Sequence, residues 1–175
     1  MLSVRPVTRD DVPLLLTLIR ALATYEKKPH AVVASEADLL RDAFGPQPKF
    51  RALIALWNDE PAGYASFFYF YSTFQGRAAL FLEDLFVLDK FRAQGIGRAL
   101  LAEVAKLALQ EKCYGMRWEV LDWNRPAIQF YERLGATFLN ERRAVAFDEV
   151  ALRRVAESHS PQRHRDTEKQ ESQES

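Results

Sequence analysis

Cysteine is nearly absent from this chain. Cys113 is the one thiol in 175 residues, so no intrachain disulfide can form, and a reducing, cytoplasmic setting is expected. Histidine is almost as scarce. His30 stands in a Lys-Lys-Pro-His run, and His159 and His164 stand in a polar C-terminal stretch. That leaves no Cys/His spacing for zinc and no obvious partner motif for a histidine-activated nucleophile. No apolar run approaches the roughly 18 residues of a membrane span, and the N-terminus lacks a signal peptide's apolar stretch. Neither sign of charge prevails. Lys plus Arg equals Asp plus Glu at 24 each, so no overall field draws in nucleic acid or an anionic membrane. If the chain is an enzyme, carboxylates, tyrosines and backbone groups carry its chemistry, with no metal.

What is present suits one domain with a substantial core: 48% of residues are hydrophobic and 27% charged. Residues 3–7 read as a first strand. Leu14, Leu15, Leu18, Ile19 and Leu22 then give the stripe of an amphipathic helix, capped by Thr8 or Asp10 with Pro13 in its first turn. Ser35-Glu36-Ala37-Asp38 is a capping-box-like start to a second helix that ends near Phe44-Gly45-Pro46. Strands at 50–57 and 62–71 flank Asn58-Asp59-Glu60-Pro61 as a hairpin, and 79–87 is the next strand.

A helix over 98–111, a strand over 116–121 and a short helix from about 126 to 134 follow, the last ended by Gly135 in a left-handed cap. Phe138 and residues 144–147 form a last strand pair. From Ser158 onward no large apolar residue occurs, so 158–175 read as a disordered tail beyond a single domain, 1–157. The order of elements implies a mixed α+β sheet with helices on both faces.

The strand Leu82-Glu83-Asp84-Leu85-Phe86-Val87 carries two carboxylates and runs into Arg92-Ala93-Gln94-Gly95-Ile96-Gly97-Arg98. Backbone N–H groups of such a loop and of the helix it opens converge on one spot and attract an anion. A dinucleotide fingerprint would need a third glycine where Leu100 stands, and a Walker loop would need Lys-Ser/Thr after Gly97. The bland alternative is a helix start with glycines for a tight turn.

Downstream stands Trp123-Asn124-Arg125-Pro126-Ala127-Ile128-Gln129-Phe130-Tyr131-Glu132-Arg133-Leu134-Gly135-Ala136. Ile128, Phe130 and Leu134 could simply be the buried face of a short helix. The two segments together, at this separation, resemble the Arg/Gln-x-x-Gly-x-Gly/Ala and Asn-x-x-Ala-x-x-Phe-Tyr blocks of the GCN5-related N-acetyltransferases. Arg5-Pro6-Val7-Thr8, Leu22-Ala23-Thr24-Tyr25-Glu26 and Asp38-Leu39-Leu40-Arg41-Asp42-Ala43-Phe44-Gly45 narrow the likeness to the diamine (spermidine/spermine) acetyltransferase group.

The resemblance implies a twisted, mostly antiparallel sheet of about six or seven strands, and acetyl-CoA as cosubstrate. It assigns the pyrophosphate to Arg92, Ala93, Gln94, Gly95, Ile96, Gly97 and Arg98. Main-chain groups of Leu85, Phe86 and Val87 would hold the pantetheine arm, with Asn124, Arg125, Pro126 and Ala127 also against the cofactor. Glu83 would be the general base, since an ammonium of pKa about 10.4 is protonated at neutral pH. Tyr131 would sit near the cofactor sulfur as general acid. Tyr25, Glu26, Glu83, Asp84 and Glu119 would face a cationic amine, and a homodimer is expected.

One segment departs from the diamine pattern. Asn140-Glu141-Arg142-Arg143-Ala144-Val145 lacks an expected tryptophan and adds two arginines, which would repel a polycation or pair with a carboxylate. A polyamine is therefore the first expected acceptor. An amino-acid-like amine such as thialysine, or a peptide amine, is the alternative. A non-catalytic acyl-CoA-binding module is the reading from another class.

Overall fold

The computed structural model describes residues 1–139, 141 and 143–158. Its contacts separate into two units, one of Met1–Asn124 and one beginning at Arg125. In the first, β1 (Leu2–Pro6), β2 (Arg51–Trp57), β3 (Glu60–Ser72), β4 (Arg77–Val87) and β5 (Met116–Trp118) form one sheet in chain order. Neighbours are antiparallel except β4 and β5, which run parallel. Among the described residues the sheet thus has five strands rather than six or seven.

Helices cover both faces because the strands are apolar on both faces. In β2, Ala52 and Ile54 join Val12, Leu15, Leu16 and Leu18 of α1 (Val12–Tyr25) and Leu39 of α2 (Glu36–Phe44). The alternate residues Leu53 and Ala55 join Ile96, Leu100, Val104 and Ala108 of α3 (Ile96–Gln110). Burying each of these large side chains contributes roughly 1.5–3 kcal/mol. Ser35 caps α2 as a capping box with Asp38, while Thr8 and Asp11 form the same device on a short 3-10 turn ahead of α1. Asn58 and Asp59 both have positive φ, 49° and 63°, as a type I′ hairpin requires. Glu60 and Pro61 already belong to β3.

Two departures in the sheet matter for the site. Ser66 pairs with Asp84 and Phe67 with Leu82, so Glu83 is an extra residue, a bulge in β4. The bulge inverts parity. Leu80 and Leu82 pack toward α3, whereas Phe86 packs toward α1, and Leu85 and Val87 turn to the α3 side. Moreover, β5 pairs with β4 only through Leu82 and Trp118, so the strand expected over 116–121 stops at 118. A bulge bends its strand and increases the twist, and the two strands separate where the bulge begins.

Both α1 and α3 end in Schellman motifs. Lys27 N donates to Thr24 O at 3.1 Å and Lys28 N to Ala23 O at 2.8 Å; Lys112 N donates to Leu109 O at 3.1 Å and Cys113 N to Ala108 O at 2.9 Å. The left-handed position, normally glycine, is Lys27 (φ 61°) in one and Lys112 (φ 56°) in the other.

In the second unit, α4 (Arg125–Arg133) closes through Gly135 at φ 82°, which donates to Glu132 O at 2.9 Å. Phe138 and 144–147 lie outside any strand, contrary to expectation. The chain instead forms α5 (Glu149–Glu157), capped by Asp148 Oδ1 accepting from Ala151 N at 2.8 Å and braced by an Arg153–Glu149 pair. That cap and that i,i+4 pair were legible signals. Ser158 ends α5; the rest of the expected tail, with Asn140 and Arg142, lies outside the described residues.

Candidate active site

The site in the first unit grows from the β4 bulge. Glu83 is exposed, and its carboxyl is held above the ordinary glutamate range, first by partial burial and then by the charges of Asp84 and Glu119. Three carboxylates from β4 and the end of β5 are therefore close enough to interact. Asp84, on the α1 face after the parity change, accepts from the buried Ser66 hydroxyl at 2.6 Å. Burial raises its carboxyl too, with Ser66 opposing. Beside it lies Tyr64, wholly buried, whose hydroxyl faces Asp84 and, among the described residues, has no well-formed hydrogen bond. Burial, and then Asp84, keep that phenol protonated, and Glu26 and Glu83 act in the same direction. Glu26, Glu83 and Asp84 thus act together on one buried hydroxyl.

Beyond the bulge the edge of β4 is open. Leu88 N donates to Ala62 O at 2.9 Å. The antiparallel alternation then pairs Phe86 with Tyr64 and Asp84 with Ser66 by main-chain bonds, while Leu85 and Val87 turn theirs outward. Among the described residues no strand pairs with β4 on that side past Leu82. Of the three residues expected to hold an extended arm, Leu85 and Val87 turn main-chain groups outward, the Val87 carbonyl accepting from Arg92 Nε; Phe86 contributes a buried ring.

The loop after β4 has the geometry of an anion cradle. Ala93 (φ 62°) and Gly95 (φ 79°) are both left-handed, and Gly95 is the N-cap of α3. A Cβ on Gly95 would meet nothing within 4 Å, so glycine is needed there for conformation and not for space. The first amides of α3, on Ile96, Gly97 and Arg98, have no intrahelical acceptor, and its first turn holds no acid. Gln94 and Arg98 are exposed beside it.

Arg92 does something the sequence did not suggest. Its Nε donates to Val87 O at 3.1 Å, its Nη2 pairs with Asp89 at 2.7 Å, and its guanidinium stacks 4.3 Å from the Tyr25 ring centroid. Tyr25 is a hub. Its ring meets Phe86 at 6.2 Å and Trp123 at 5.8 Å, and its hydroxyl donates to Asn124 Oδ1 at 3.0 Å. Lys27 Nζ lies 5.5 Å from the Trp123 centroid. Tyr25, Glu83, Asp84, Glu119, Arg92 and Asn124 are thereby linked within one unit. Ser66, Tyr64, Lys27 and Trp123 were not foreseen as site residues, since each enters through register or helix-end geometry.

The second unit carries Arg125, Pro126, Ala127 and Tyr131 on α4. Tyr131 is buried with its ring 5.2 Å from that of Phe130, and burial pushes its phenol up to about 12. It therefore keeps its proton throughout the neutral range. Among the described residues no helix is long and apolar enough to cross a membrane, and no group of three or more His, Cys, Asp or Glu could hold a metal ion.

The chain is similar in sequence and fold to known proteins. The family model described as "Acetyltransferase (GNAT) family" matches residues 16–136. Thialysine N-epsilon-acetyltransferase of Mus musculus is 36% identical over 164 residues, covering 87% of this chain and 96% of that protein. Spermidine/spermine N(1)-acetyltransferase-like protein 1 of Homo sapiens is 34% identical over 145 residues, covering 79% of this chain and 21% of that one. Among solved structures, an integron cassette protein from the mobile metagenome of V. cholerae matches with a TM-score of 0.75 at 24% identity, covering 89% and 97% of the two chains. At that identity the likeness speaks for the fold.

Proposed function

The chain belongs to the acetyltransferase (GNAT) family, and from that premise we propose that it moves the acetyl group of acetyl-CoA to a primary amine of a small cationic acceptor. The observation that carries this reading is Glu83, placed by a bulge among Asp84 and Glu119 where β4 parts from β5. When bound, acetyl-CoA supplies an activated thioester. The residues fit it: Leu85 and Val87 offer outward main-chain groups, and the Gly95 turn aims the α3 amides at a pyrophosphate.

An acceptor arrives as an ammonium. Asp84 and Glu119 hold the cation, and Glu83, its proton affinity raised, takes the proton that must leave before nitrogen can attack. With acetyl-CoA bound, a main-chain N–H of Leu85 or Val87 would steady the oxyanion, and Tyr131, protonated at neutral pH, would serve as the acid for the thiolate.

Two acceptor classes suit the site. Four carboxylates at Glu26, Glu83, Asp84 and Glu119 favour a di- or polyamine. The thialysine enzymes among the relatives, and the cations Lys27 and Arg92 beside Tyr25, favour an amino-acid-like amine.

The test is release of free thiol from acetyl-CoA with spermidine, spermine, putrescine, thialysine, lysine and a short peptide. Turnover of one or more small amines is expected. Tyr131→Phe should lower kcat about 10²–10⁴-fold with little change in acetyl-CoA affinity. Tight acetyl-CoA binding with no turnover of any amine would instead identify a binding module.

A further inference from the structure

Lys27 occupies a position at which the backbone asks for glycine. It is the left-handed residue of the Schellman motif closing α1 (φ 61°), where a Cβ is disfavoured. The motif throws its side chain across Trp123, a ring still 47% exposed. From there a row of rings, Trp123, Tyr25 and Phe86, leads to β4 two residues from Asp84. One end of this row carries a cation; the other lies beside Asp84, bonded to Ser66, and the Glu83 bulge next to it. Phe86 is buried, so a ligand lying along the row touches Trp123 and Tyr25 and meets charges of opposite sign at its two ends.

Resting on the acetyltransfer reading above, we infer that Lys27 is a specificity-determining residue. Its ammonium receives the carboxylate of an acceptor that is an amino acid with a side-chain amine. The aliphatic stem of such a molecule lies against the rings while its terminal ammonium meets the acids around Glu83. A linear polyamine of similar length would bring a second ammonium against Lys27, and like charges at that end select against it. Arg92, 4.3 Å from the Tyr25 centroid and 6.0 Å from that of Phe86, adds positive charge in the middle of the row.

A control is built into the fold. Lys112 ends α3 in the same motif with the same left-handed backbone (φ 56°) and is exposed. Lys27→Gly and Lys112→Gly both relieve that conformation, so both variants should fold at least as well as the parent chain.

The experiment compares kcat/KM for thialysine with that for the diamine left when its carboxylate is removed, in the parent chain, Lys27→Gly, Lys27→Arg and Lys112→Gly. Lys27→Gly is expected to lower the thialysine value about 10–100-fold, the loss of one charge-assisted contact. The diamine value should stay level or rise, and KM for acetyl-CoA should not move. Lys27→Arg should keep most of the preference, and Lys112→Gly all of it. An unchanged ratio in Lys27→Gly overturns the inference alone, as does a rise in KM for acetyl-CoA in place of the amino acid, which would assign the ammonium to a cofactor phosphate. Turnover of neither amine by the parent chain removes the acetyltransfer reading and this inference with it.

Discussion

Two neighbouring carboxylates in β4 have been given different work by a single inserted residue. Glu83 lies at the bulge, exposed; Asp84 turns inward to Ser66. Burial first, and then the charge of Asp84, hold the Glu83 carboxyl above its usual range, so removing that charge should let Glu83 ionise at somewhat lower pH. Asp84→Asn is therefore expected to move the acidic limb of the kcat/KM profile toward lower pH, Glu119→Gln less far in the same direction, and Glu83→Gln to abolish it. A limb that stays in place in Asp84→Asn would remove Glu83 as the base. Stability follows with a fixed sign. A carboxyl whose native pKa is raised favours folding most below its unfolded pKa, and that contribution is lost as pH rises. Asp84→Asn, which can still accept from Ser66, should raise Tm at neutral pH while slowing turnover, with the gain shrinking toward acidic pH. Thermal melts at both pH values check it. Glu83, Asp84 and Tyr131 were legible as residue types in a pattern. Tyr64 and Ser66 were not, because only the strand register brings them under Asp84.

Element ends and crossings decide how this chemistry is presented. Gly63 of β3 lies against the part of β4 that turns main-chain groups outward. A Cβ there would stand 2.3 Å from Phe86 O and 3.1 Å from Val87 Cα, so backbone would have to shift. Gly63→Ala is expected to cost about 1–3 kcal/mol of stability and to raise KM for acetyl-CoA more than it lowers kcat. Denaturant melts with steady-state kinetics check both parts, and a lost stability with unchanged KM would detach that edge from cofactor binding. The Ser35 capping box, the Asn58-Asp59 turn and the Gly135 cap were legible because each uses the residue its geometry favours. The ends of α1 and α3, at Glu26 and Glu111, were legible too, but their left-handed caps were not, since Lys27 and Lys112 fill positions that favour glycine. The shortness of β5 was hidden for another reason. Met116 to Leu121 reads as one strand, and it is the bulge on its neighbour that ends the pairing at Trp118.

At the scale of the whole molecule, charge is balanced in total and sorted locally. The 24 basic and 24 acidic residues cancel, yet Glu83, Asp84 and Glu119 gather at one end of the ring row and Lys27 stands at the other, with Arg92 over the rings between them. Composition made the balance legible; the sorting came from a parity change in β4 and a helix-end motif in α1, which composition does not register. Exposed charges more than about 10 Å apart are largely screened at 0.1 M salt, so an approaching amine feels the acids only on arrival. Long-range capture, which raises association 10–10³-fold in strongly polarised proteins, has no source in a chain of zero net charge. Raising salt from roughly 0.05 to 0.5 M should therefore lower kcat/KM for a diamine by less than about tenfold. The loss should appear in KM while kcat holds, because the proton transfer at Glu83 occurs after the cation is seated. Glu119→Gln should flatten the remaining dependence by removing one of the charges that seat it. Steady-state kinetics across that range in both proteins measures this, and a steeper fall, unchanged by Glu119→Gln, would place the attraction in the surface as a whole rather than in the acids beside the bulge.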